Sequence, residues 1–403
     1  MRKEDTDFIH SHLNDNVDDL VLHASRFPGV DIKYAATQIS GWQKANSKLP
    51  LWAQTPGIEF PRKLSMEQCS SEKSAEYKAS VVRRLLEPKD RGTLSITDLT
   101  GGFGVDATMI CRGLGDCRLT FVERDAELCR LANINLPLLG IESSKVICSE
   151  CQDVLETLPL QDLIFVDPAR RDRSGRKTVL LSDCTPDLTQ MSDHLLKTGD
   201  IVMAKLSPML DITQARRELN SICEIHVVGV DNECKEVLLV MSQNYSRNVE
   251  PTIVCANILP HSTDIFSFTY SDEESTESNY AMSIQGYLFE PNATIMKAGA
   301  FKSVGARLGL QKLHPSSHLY TSETEKADFP GRRFIVTESM EFNKQGINRL
   351  SKLTCKANIT VRNFPLKADE LRKRLKLSEG GSDYLFATTL ADNTKHLILC
   401  KKV

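Results

Sequence analysis

No run of apolar residues in this 403-residue chain approaches the roughly eighteen needed to cross a bilayer, so no membrane-spanning helix is expected. The opening residues, MRKEDTDFIHSHLNDNVDD, place no apolar stretch behind their positive charges. A secretory signal is therefore not expected, and a cytoplasmic location is. Disulfide spacing is lacking as well: the 12 cysteines are scattered singly through apolar runs, which fits a reducing compartment. The one CxxC, Cys148 to Cys151, has no second CxxC and no spaced histidine pair. Those thiols are read as packing groups, and no metal is expected. A strong overall charge is also missing, with a net charge of -3.

That small sum hides an asymmetry. Residues 331–403 hold 15 Lys or Arg against 7 Asp or Glu, an excess of eight positive charges, which leaves the remainder at -11. A basic module on an acidic body points to a polyanionic partner, with an ordinary solvated face as the plain alternative.

The length allows two to four domains. Residues 1–88 read as helical, since Phe8, Leu13, Val17, Leu20 and Val21 fall at helical spacing and the serines after Cys69 lead into a capped helix, AEYKASVVRRLL. Over 89–244, seven apolar runs (SITDL, LTFVE, KVICS, DLIFVD, DIVMAKL, EIHVVGV, EVLLVMS) alternate with helix-like segments. This predicts an α/β domain, a mostly parallel sheet covered by helices on both faces. The last two runs are separated by Asp231-Asn232-Glu233, short enough for a hairpin, so the seventh strand is expected to run antiparallel. Residues 245–325 read as a small domain in which 271–278 form a polar loop and Asn292 to Leu308 a helix. Residues 326–403 read as strand, helix, strand, helix and a closing strand pair.

Strand SITDL ends in Asp98-Leu99-Thr100-Gly101-Gly102-Phe103-Gly104-Val105-Asp106-Ala107. Gly102, Gly104 and Ala107 match GxGxxA, and Glu123 ends the next strand 21 residues after Gly102. The pattern alone fits a nicotinamide dinucleotide or S-adenosylmethionine. Charge separates them: carboxylates at Asp98 and Asp106 would repel a pyrophosphate at the helix N-terminus, whereas Asp98 would attract the sulfonium and ammonium of S-adenosylmethionine.

The stretch resembles motif I of class I S-adenosylmethionine-dependent methyltransferases, which carry a seven-stranded Rossmann-like sheet. The resemblance implies S-adenosyl-L-methionine as cofactor, with Asp98, Thr100, Gly101, Gly102 and Gly104 around it. It also implies Glu123 and its neighbour Arg124 at the ribose, and Asp153, in CQDVLE after the third strand, at the adenine amino group. DLIFVDPARRDR places Asp167-Pro168 at the carboxyl end of the fourth strand, where ligands bind in open α/β sheets. It is similar to motif IV, which in methyltransferases of exocyclic amines reads Asp or Asn, Pro, Pro, aromatic. Here the last two positions are Ala169 and Arg170. Asp167, Pro168 and Arg170 are the expected catalytic residues. Arg170 suits either stacking on a ring or binding phosphate. Arg171, Arg173, Arg176 and Lys177 extend a basic loop that suits a phosphate-bearing substrate or plain solvation. Lys205, ending an apolar strand in VMAKLSPML, either lines the pocket or snorkels to the surface.

Nearly the whole chain resembles a group of methyltransferases with a small ferredoxin-like domain and a C-terminal THUMP-like domain. The residues carrying this are LSMEQCSSEKSAEYKA, DLTGGFGVDA, VDPARR, AKLSPMLD, YLFEPNATIMKAGAF and HLYTS. The resemblance implies that Gln68 and Ser71 help close the donor site. It also makes RNA, transfer or ribosomal, the expected partner, with Arg372 and Arg374 among its contacts. Two other readings stand beside it: methylation of a protein or small molecule, and donor binding without turnover.

Overall fold

The computed structural model describes residues 2–86, 92–170, 180–245 and 249–403. They form two compact units. The first is Met1–Ile225 with Glu236–Val249, and the second is His226–Lys235 with Glu250–Val403.

Unit one is built on β1 (Leu94–Asp98), β2 (Cys117–Glu123), β3 (Ser144–Cys148), β4 (Gln161–Val166), β5 (Gly199–Leu206), β6 (Ile222–Val230) and β7 (Glu233–Met241). Their spatial order is β6-β7-β5-β4-β1-β2-β3. β1 pairs in parallel with β2 and β4, β2 with β3, and β4 with β5, whereas β7 runs antiparallel to β5. The seven apolar runs and the reversed last strand are thus where the sequence puts them. The tip of the β6–β7 hairpin, residues 226–235, clusters with the second unit.

The central strands are apolar on both faces because helices cover both. Leu163, Ile164, Val202, Met203 and Ala204 have no exposed surface, and each large side chain so buried contributes about 1.5–3 kcal/mol relative to exposure. Before the sheet come helical segments including Lys3–Ser11, Val17–Leu22, Ile32–Lys48, Lys63–Gln68 and Glu72–Leu86. The helical spacing read from Phe8 to Val21 crosses a break, since Asn16 caps a new helix through the amides of Asp18 and Asp19. As a result Leu20 is buried and Val21 is half exposed.

Unit two carries a seven-stranded sheet in the order Gln311–Lys312, Tyr320–Ser322, Tyr287–Pro291, Gly331–Glu341, Lys395–Lys402, Asp383–Thr389, Asn358–Arg362. Helices Lys344–Leu353 and Ala368–Leu375 pack on it through Leu350, Leu371 and Leu375 against Leu385, Leu397 and Leu399. The strand and helix order expected for the C-terminal module is the one observed.

Two expectations in this unit are corrected. Residues 271–278 are not simply a polar loop: Tyr270–Ser275 is a helix, and the Glu273 carboxylate accepts from the amides of Phe301, Lys302 and Ser303 and from the Ser303 hydroxyl. A polar run with no apolar residues still found a partner, because amides at the start of helix Ser303–Arg307 need an acceptor. Asn292 to Leu308 is not one helix but two, Ala293–Ala298 and Ser303–Arg307. Gly299 separates them at φ 87, a left-handed cap that ends the first.

Candidate active site

The carboxyl ends of β1, β2, β4 and β5 bring most of the expected residues together. Asp98, on β1, lies between Phe121 of β2 and Phe165 of β4 in register, and it is 2% exposed. Its Oδ1 accepts from the Thr100 amide at 2.9 Å. Burial pushes its carboxyl up to about 8; that amide works against the rise, and the carboxylates of Asp106, Asp167 and Glu123 reinforce it.

The loop after β1 is shaped by its glycines. A Cβ on Gly101 would lie 2.2 Å from the buried Phe121 ring, so only glycine lets the loop sit on β2. Gly102 has φ 56, and a Cβ there would meet nothing closer than 3.8 Å, so the loop presents bare backbone to an open space. Gly104, at φ 82, is the N-cap of helix Val105–Leu114.

Glu123 binds this loop. Its Oε2 accepts from the Gly102 amide at 2.8 Å and its Oε1 from the amides of Arg124 and Asp125, each at 2.8 Å. Three of a carboxylate's about four acceptor positions are thereby filled, leaving one for a ligand hydroxyl. Asp153 lies in the first turn of helix Cys151–Leu155, exposed, just beyond β3. Arg124 is exposed and approaches Glu150 at 3.9 Å. Gln68, the last residue of helix Lys63–Gln68, is exposed, and Ser71 caps the following helix through the Ser74 amide.

Asp167 follows β4, with its amide donating to the Thr100 hydroxyl at 2.6 Å. The motif I loop and the DPAR segment are therefore joined directly. Pro168 is buried. Arg170 pairs with Cys184 in a short antiparallel ribbon, while its side chain and residues 171–179, including Arg171, Arg173, Arg176 and Lys177, lie outside the described residues. Lys205 does not snorkel. Its side chain is 12% exposed and its ammonium pairs with Asp167, with Asp106 at 3.8 Å and the Ser70 hydroxyl at 3.5 Å. Burial alone would lower its basicity, but Asp167, Asp106 and Glu236 together raise it.

Arg372 and Arg374 belong to the other unit. Arg372 donates to the Ala357 carbonyl at 3.2 Å and faces Glu379 at 3.8 Å. The Arg374 guanidinium lies over the Phe342 ring, 4.8 Å from its centroid. Among the described residues, no three His, Cys, Asp or Glu side chains are grouped to hold a metal ion, and no helix is long and apolar enough to cross a membrane.

Against known proteins, residues 287–330 match a ferredoxin-like domain family and 331–402 a THUMP domain-like family. Two uncharacterized S-adenosylmethionine-dependent methyltransferases of Mycobacterium tuberculosis, from strains CDC 1551 / Oshkosh and ATCC 25618 / H37Rv, are each 28% identical over 249 residues. The match covers 61% of this chain and 64% of theirs, a little under two thirds of those relatives. A crystal structure from Porphyromonas gingivalis W83, provisionally assigned as a methyltransferase, has a TM-score of 0.87 at 35% identity over 99% of this chain and 97% of that one. The chain belongs to this family of class I S-adenosylmethionine-dependent methyltransferases with ferredoxin-like and THUMP-like domains.

The methyltransferase site fits the family's cofactor on its own geometry. It offers a glycine cradle open at Gly102, a buried acid at Asp98 and an acceptor at Glu123. Reading the methyltransferase motifs alone misses a second layer beneath them. Lys78, with no exposed surface, donates to both Glu236 oxygens at 2.6 and 2.8 Å and to the Ser70 hydroxyl at 3.1 Å, and pairs with Asp106 at 3.0 Å. Ser70 donates to Asp106 at 2.7 Å. Asp106 is held below the usual carboxylate range: burial opposes this, and Lys78, Lys205 and Ser70 overcome it. Burial raises Asp167 and Glu236, offset in part by Lys205 and Lys78 respectively. The signal for Lys78 was its place on the apolar face of its helix, in line with Ala75, Ala79 and Val82.

Proposed function

We propose that this protein transfers a methyl group from S-adenosylmethionine to RNA. The donor is held over the glycine loop by Asp98, Glu123 and Asp153, and the acceptor group is held at Asp167 and Pro168. When bound, the donor supplies an electrophilic methyl on a sulfonium. Transfer requires an in-line nucleophile, so positioning matters more than a strong base. Thr100 fixes the Asp167 backbone and Lys205 fixes its carboxylate, which leaves a rigid anionic acceptor for an N–H or O–H on the substrate. Glu123 keeps the loop closed on β2 while its remaining acceptor position takes a ribose hydroxyl.

The observation that supports RNA is the THUMP domain-like match coinciding with the excess of eight positive charges over 331–403. Arg372 and Arg374 are engaged within the module, so phosphate contacts fall on the exposed Lys373 and Lys376 of the same helix end. Cutting the chain at Pro330 would be a poor test, because Gly331–Glu341 pairs with Tyr287–Pro291 and the cut would open the sheet. The test is transfer RNA binding by the full chain at several salt concentrations, alone and with Lys373→Glu and Lys376→Glu together. Affinity is expected to fall by about 0.7–0.9 log units per log unit of salt for each phosphate neutralised. The double reversal is expected to flatten that slope. A shallow slope, unchanged by the reversals, would leave protein or small-molecule methylation as the reading.

A further inference from the structure

Glu236, Lys78, Asp106, Lys205 and Asp167 form one row of alternating charge. Its links are Glu236–Lys78 at 2.6 Å, Lys78–Asp106 at 3.0 Å, Asp106–Lys205 at 3.8 Å, and the Lys205–Asp167 pair. The five residues come from five places in the chain: helix Glu72–Leu86, the first turn of Val105–Leu114, the end of β4, β5 and β7. Side-chain exposure along the row is 5%, 0%, 9%, 12% and 35%, so only the Asp167 end opens outward. Three carboxylates face two ammoniums. Lys78 engages both Glu236 oxygens, and Asp106 takes both lysines and Ser70. Counted over these five side chains, the row carries a net charge of -1, and its outward end is Asp167.

A net charge held away from water is costly, and an arriving cation relieves it, whereas a neutral ligand of the same shape does not. Resting on the donor site argued above, the structure assigns to this row the discrimination between the cationic donor and its neutral product: S-adenosylmethionine brings the compensating positive charge, and S-adenosylhomocysteine, lacking the sulfonium, does not. Glu236 and Lys78 are specificity-determining at a distance, through the charge they add to the row and not by contact. The consequence for turnover is that the product is released from a site that no longer matches it in charge.

The test is calorimetric binding of S-adenosylmethionine and S-adenosylhomocysteine to three full-length proteins. The wild type is expected to prefer the donor by on the order of tenfold, the size of one unit-charge interaction at about 10 Å in a protein interior. Glu236→Gln removes the surplus charge and is expected to bring the two affinities within about twofold of each other. Lys78→Gln with Glu236→Gln removes one charge of each sign, keeps the surplus, and is expected to restore the preference. A preference unchanged in Glu236→Gln, or equally lost in the double variant, overturns the row's role. A further measurement needs only the wild type. The preference is expected to hold from about 0.05 to about 0.5 M salt because buried charges are little screened; collapse with salt would assign it to surface charge instead. If the wild type binds neither ligand, the donor-site reading itself fails, and the inference with it.

Discussion

Lys78 and Lys312, one in each compact unit, are both buried, at 0% and 5% exposure, and the protein accommodates them in opposite ways. Lys78 is surrounded by the carboxylates of Glu236 and Asp106. Lys312 donates to the Pro315 carbonyl at 2.9 Å and lies 5.5 Å from the centre of the Phe301 ring. Burial accordingly lowers the basicity of Lys312, with nearby Glu273 opposing and Lys302 adding to the effect. The first lysine is part of an ionic structure that would be left charged without it. The second is closer to a long apolar stem with a tethered tip.

The sharpest way to break this contrast is to remove each lysine. Lys78→Met strands Glu236 as an unpaired buried acid and leaves Asp106 with Lys205 and Ser70, and chemical denaturation is expected to show a loss of about 3–5 kcal/mol. Next comes the wall on which the cofactor loop sits. Gly101→Ala drives a methyl into the Phe121 ring, an overpacking expected to cost about 1–3 kcal/mol by the same measurement. A near-wild-type midpoint for this variant would mean the loop is not seated on β2 as described.

The ionic environment also makes a pH prediction. Asp98 has its carboxyl raised to about 8, so without a cation beside it the protonated form is favoured at neutral pH. A cationic ligand favours the ionised form, so affinity for S-adenosylmethionine is expected to tighten as pH rises toward about 8, by up to about tenfold per unit, and then level off. For folding the sign is reversed: a raised acid binds its proton more tightly in the folded state, so this group's contribution falls as pH climbs from its ordinary value of 3.8 toward 8. Asp98→Asn is expected to abolish both dependences, read by calorimetry and by denaturation across pH.

The smallest effect is expected at Lys312. Lys312→Met should change stability by less than about 1.5 kcal/mol, as for a volume-conserving swap. A base whose folded value is lowered gains stability as pH rises through that value toward 10.5. The variant is therefore expected to lose that slope in alkaline denaturation, and a slope equal to the wild type's would remove Lys312 as its source.

The contrast also explains which parts of the molecule were legible in the sequence. Strand periodicity, the glycine loop and the reversed β7 depend on residues close together in the chain, and each was readable. The row under the site joins positions 78, 106, 167, 205 and 236, and no local pattern spans them. Asp167 and Lys205 stood out because each ends an apolar strand. Lys78, inside AEYKASVV, looks like any solvated helix lysine until its register with Ala75 and Val82 is counted. Glu236, at the start of EVLLVM, looks like an exposed strand end. Glu273 escaped for the opposite reason: a run of polar residues gives no periodicity, and its role as a cap exists only where the chain returns at Phe301.

Methyl transfer to RNA through Asp167 is the proposed reaction. It is tested most directly by incubating the protein with methyl-labelled S-adenosylmethionine and separated cellular RNA and protein fractions, beside Asp167→Ala. Label is expected in the RNA fraction with the wild type and at least about a hundredfold less with the variant, the scale on which misplacement of a reacting group acts. Label appearing only in protein, or equally with both enzymes, would contradict it.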